Sequence, residues 1–130
     1  MIEFLEINEK KYPVRIGYYV MKSVKAETGK SLSECLKVSG ETENLDVHET
    51  ILYYALKMGA FAQNGNTDIP FSKEDMSLVL DMCFYDYMKL FASDKFFPKE
   101  KIKELEQDVE KKLQRTNASP KKTEEEKQKT

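Results

Sequence analysis

One histidine, two cysteines and five glycines occur among the 130 residues, and each scarcity removes a class of chemistry. With His48 alone, most nucleophile–base pairs and most zinc sites lack their members. Next to Glu49, one turn into a helix start, it reads as a surface or capping histidine. The scattered glycines form neither GxGxxG nor GxxxxGK, so the chain has no phosphate-cradling loop. Asn64-Gly-Asn-Thr-Asp68 has the opening of a calcium loop without its terminal Glu. Cys35 and Cys83 lie in apolar sequence with no CxxC or Cys/His spacing, which predicts buried thiols in a reducing compartment and no disulfide. No run approaches the ~18–20 apolar residues that cross a bilayer. The opening MIEFLEINEKKY lacks the basic-then-apolar order of a secretory signal. A formal net charge of −2 offers no general attraction to nucleic acid. The pairs Lys10-Lys11 and Lys121-Lys122 have no interleaved aromatics. The expected location is the cytosol, with no membrane and no nucleic acid as partner.

What is present is apolar surface and charge. Hydrophobic residues make up 40% and charged residues 34%, enough for one globular domain with a heavily charged exterior. Residues 1–97 carry 15 acidic and 11 basic side chains, a balance of −4. Residues 98–114 carry five of each, and 115–130 carry five basic against three acidic, or +2. The body is mildly acidic and the tail mildly basic.

The order of elements predicts an α+β domain over 1–97, an N-terminal β-hairpin packed on a small helical bundle. Ile2 to Ile7 alternates, Tyr12-Pro-Val-Arg-Ile16 continues in extended form, and Asn8-Glu-Lys-Lys11 connects them. Pro13 confines its strand to an edge or turns its missing donor outward. A helix follows from Tyr18 to Thr28, closed by Gly29. Ser31-Leu-Ser-Glu34 has capping-box spacing and starts a short helix, Leu32 to Val38. A polar loop over 39–44 leads to a helix from Asp46, its expected cap, to about Phe61. Another long helix begins at Ser72-Lys-Glu-Asp75. Pro98 opens a charged helix over 98–114, with Ile102, Leu105, Val109 and Leu113 on one narrow seam. Residues 115–130 are too polar to offset their ordering entropy, which predicts a disordered tail.

The helix ending at Phe91 is the most apolar of these. It carries Met76, Val79, Leu80, Met82, Cys83, Phe84, Tyr87, Met88, Leu90 and Phe91, more than one buried stripe needs. Either it is a central helix wrapped on all sides, or it keeps an exposed face of Met, Phe and Tyr suited to adaptable recognition. In the doublets Tyr18-Tyr19 and Tyr53-Tyr54 one ring of each should face the core, leaving Tyr19 and Tyr53 outside or partly taken in. The candidate partner-binding residues are Tyr53, Phe61, Phe84, Tyr87 and Phe91. Catalytic residues, metal ligands and cofactors are all expected to be absent. Acid pairs such as Asp81/Asp86 or Glu41/Glu43 read as solvated faces and not as the centre of a small enzyme.

Three stretches, IEFLEINEKKYPVRIGYYVMK, ETGKSL and ILYYALKMGA, resemble in type and order the tail assembly chaperones of long-tailed bacteriophages. The likeness covers about residues 1–62, and 72–92 more loosely; Glu9 stands where glycine is common in the family's hairpin turn. The resemblance implies a protein made in the cytoplasm of an infected host. It would bind tail tube subunits and the tape measure protein before and during tube polymerisation and be absent from the virion. Many members also have a longer, frameshifted form. The C-terminal extension would serve as an arm for the tape measure protein or for homo-oligomerisation. The alternative expectation is a small regulatory adaptor that dimerises through the Ile102–Leu113 seam.

Overall fold

A computed structural model describes residues 2–38 and 45–118, the side chains of 36–38 and 109–118 excepted. It has the expected α+β class: among the described residues, an N-terminal antiparallel hairpin and five helices, mostly α. Strands β1 (Glu3–Ile7) and β2 (Lys10–Val14) pair in the register Ile7↔Lys10 to Glu3↔Val14. The turn is therefore only Asn8-Glu9, shorter than the four-residue connection the sequence suggests. Both residues have positive φ, 50° and 69°, the pattern of a type I′ turn that matches strand twist. That backbone choice lets Lys10 and Lys11 join the ladder. Antiparallel pairs alternate between hydrogen-bonded and open, and Ile7↔Lys10 closes the hairpin. Phe4↔Pro13 is then an open pair, so Pro13 needs no N–H there.

The hairpin's inner face buries Leu5, Ile7 and Val14. Helix α1 (Tyr18–Thr28) ends where Gly29 turns left-handed at φ 76° and donates its N–H to Lys25 O. Helix α2 (Leu32–Val38) is opened by a reciprocal box. Ser31 N donates to Glu34 Oε1 at 2.8 Å, and Glu34 N donates to Ser31 Oγ at 3.1 Å. Helix α3 (Leu45–Asn64) starts at Leu45, so Asp46 lies inside its first turn and is not the cap. It also runs past Phe61 to Asn64, because Gly65, at φ 84°, supplies the left-handed stop and donates to Phe61 O. The expected loop over 39–44 lies outside the described residues. Helix α4 (Met76–Phe91) begins after Ser72–Asp75 and not within it as expected, because those residues form a second reciprocal box ahead of the helix.

Helix α3 is the spine: α1 and β2 pack on it, while α4 packs on β1 and α3. Val20, Val24, Ile51, Leu52, Leu56, Met76 and Val79 fill the space between, each burial contributing roughly 1.5–3 kcal/mol. Strand β2 comes unusually close to α3. Arg15 N donates to Ala55 O at 3.1 Å, and a Cβ on Gly59 would overlap the Pro13 carbonyl. Only glycine admits the strand at this point.

The described residues fall into two compact units that divide between Lys99 and Glu100. Helix α5 (Lys99–Ala118) begins one residue after Pro98 and extends to Ala118 instead of stopping at 114. The rest of the expected tail, 119–130, lies outside the described residues. Among the described residues no helix is long and apolar enough to cross a membrane.

Candidate protein-binding surface

Helix α4 has two apolar faces. Met76, Val79, Leu80, Cys83, Tyr87 and Phe91 step by three and four and are buried. On the opposite side Leu78, Met82 and Tyr85, again at four- and three-residue steps, are 67%, 54% and 75% exposed. Phe84, on the flank, is 47% exposed. The helix bends at Cys83, whose φ of −133° and ψ of 20° are non-helical. No Pro or Gly stands there, and nothing in the local sequence explains the bend. Lys89 Nζ lies 4.8 Å from the Tyr85 ring centroid and is the only cation between Met76 and Phe91. Asp81 and Asp86 are exposed on the same helix, and Glu74 is exposed just before it. The outward face is thus an apolar ridge edged by acids.

Of the five residues nominated from sequence, the structure leaves Phe61 and Phe84 exposed and Tyr53 half-buried. Phe61 stands on the last turn of α3. Tyr53 meets Tyr54 edge-on at 5.1 Å, with Lys57 Nζ 4.9 Å from its ring centroid. Tyr87 and Phe91 must be withdrawn as surface residues, because they are 0% and 4% exposed. They belong to the inward stripe. Phe91 stacks on Tyr87 at 5.8 Å and meets Phe97 edge-on at 4.8 Å. His48, expected at the surface or at a cap, is also buried here. Its Nδ1 shares a hydrogen bond with Tyr87 Oη at 2.9 Å, and its ring lies 4.8 Å from Phe91. Burial, with Cys35 and Cys83 nearby, raises the Tyr87 phenol well above its ordinary pKa, so it stays protonated as the histidine's partner.

Sequence reasoning passed over Leu78 and Tyr85, the two most exposed members of the ridge. The signal was available: they share a face with Met82 and oppose Val79, Cys83 and Tyr87. In the first tyrosine doublet Tyr19 is partly taken in as expected, but Tyr18, expected to face the core, does not. Tyr18 is the exposed ring, while Tyr19 is half-buried and packs edge-on against Tyr54 at 5.8 Å.

Both cysteines are buried thiols. Burial, and secondarily Asp86, pushes the Cys83 thiol up to about 11, which keeps it protonated and poorly reactive at neutral pH. Among the described residues no three His, Cys, Asp or Glu side chains gather where they could hold a metal ion. No family model matches the chain, and no curated protein or solved structure matches it at the level from which kinship is inferred.

Proposed function

We propose that this chain is a tail assembly chaperone of a long-tailed bacteriophage. On this reading it works in the host cytoplasm and catalyses no reaction. It holds tail tube protein, tape measure protein or both before and during tube polymerisation, and it is left out of the finished virion. The observation that carries the reading is the second apolar face of α4, Leu78–Met82–Tyr85, which is not needed to close the domain's own core. A holding protein needs apolar surface to compete with its client's self-contacts and a charged body to keep the complex soluble. Affinity has to be moderate, since the client must leave; a Kd near 1 μM corresponds to about −8 kcal/mol. The sequence likeness over residues 1–62 supplies the kind of client.

Co-expression with the tail tube protein of the same phage, followed by size-exclusion chromatography, tests the reading. A mixed peak and slower tube polymerisation are expected. Equal polymerisation with and without this chain, and no mixed peak, would remove the claim.

A further inference from the structure

We propose that the outward face of α4 receives a basic-flanked amphipathic helix of the client; this rests on the chaperone reading and specifies its contact. Inside a helix, backbone N–H and C=O groups are bonded to one another, so an added strand would find no ladder to join. Recognition must run through side chains, and a bound segment must satisfy its own backbone. Leu78, Met82 and Tyr85 form a convex ridge about 10 Å long at 1.5 Å per residue. Such a ridge fits the groove between side-chain rows of a second helix over about two turns.

Charge then selects among helices. The exposed charges edging the ridge are Glu74, Asp81 and Asp86, and Lys89 is turned over the Tyr85 ring. A second copy of this chain would set this net-acidic patch, three acids against Lys89, on an identical one, because a twofold contact uses one patch twice. A segment with Lys or Arg beside its apolar residues meets the acids as partners. Electrostatic steering would also quicken capture while leaving the complex salt-sensitive and releasable.

The test uses the full chain and two labelled synthetic peptides with identical apolar helical faces, one flanked by lysines and the other by glutamates. Fluorescence anisotropy at low and moderate salt should show the lysine peptide binding at least tenfold tighter at low salt. The double change Leu78→Ser with Tyr85→Ser should weaken it tenfold or more, and Asp81→Asn with Asp86→Asn should erase most of the preference. Equal binding of both peptides, no binding of either, or indifference to these changes would overturn the proposal. So would a dimer of the chain alone that Leu78→Ser with Tyr85→Ser converts to monomer. If the tube protein is still held in co-expression while the peptides fail, this inference falls and the chaperone reading stands.

Discussion

Glu9 holds φ at 69° in a two-residue turn, a left-handed conformation that costs a side-chain-bearing residue roughly 1–2 kcal/mol. Glu9→Gly would make the turn Asn-Gly, the preferred type I′ pair, and should stabilise the domain by about 0.5–1 kcal/mol after glycine's extra unfolded freedom is set against it. A thermal melt raised by a few degrees is the expected readout. Gly59→Ala should do the opposite, and by more. Its methyl meets the Pro13 backbone, which cannot rotate away as a side chain could, so a loss of about 2–4 kcal/mol in a denaturant titration is expected. Glu27 gives a pH signature. Lys73 Nζ donates to it at 2.7 Å and the Tyr54 hydroxyl donates to its other oxygen, which together hold its carboxyl below the ordinary value of 4.5. A depressed carboxylate contributes stability that is complete above 4.5 and is lost as pH falls through the folded value. The group is part-exposed, so the effect is modest. Melts from pH 6 down to pH 3 should decline less steeply in Glu27→Gln than in the parent chain.

Helix ends were legible because each is a local bargain between neighbouring residues. Gly29 and the Ser31–Glu34 box act within three or four positions, and both are present in the structure. The α4 start lies later than expected, because Ser72 and Asp75 bond each other ahead of a helix that begins only at Met76. The α3 start was misplaced because Asp46 fits the cap pattern equally well one residue inside the helix. The faces of α4 were harder. Counting apolar residues reveals an excess but not its direction, and choosing the largest rings picks Tyr87 and Phe91, whose size suits them to the core. Their burial depends on His48 from α3, which is 39 positions from Tyr87 in sequence, and for Phe91 also on Phe97 just beyond α4. The division of α4 predicts opposite consequences for adjacent residues. Val79→Ala, on the inner stripe, should cost about 1–3 kcal/mol in a chemical melt. Leu78→Ser, on the outer ridge, should leave the melt within about 0.5 kcal/mol.

At the scale of the molecule, a short hairpin cannot stand alone and leans on α3 and α4, which leaves α4 one face for the core and one for the outside. The α+β class was readable because the hairpin and helix periods differ and occur in separate stretches. The spare face was readable only as a surplus. The most direct measurement combines the tail tube protein with this chain and with its Leu78→Ser, Met82→Ser, Tyr85→Ser variant in parallel size-exclusion runs, after circular dichroism has shown equal helix content and equal melts. A mixed peak with the parent chain that vanishes with the variant is the result predicted. A mixed peak of undiminished size with the folded variant would contradict the assignment of this face to the client.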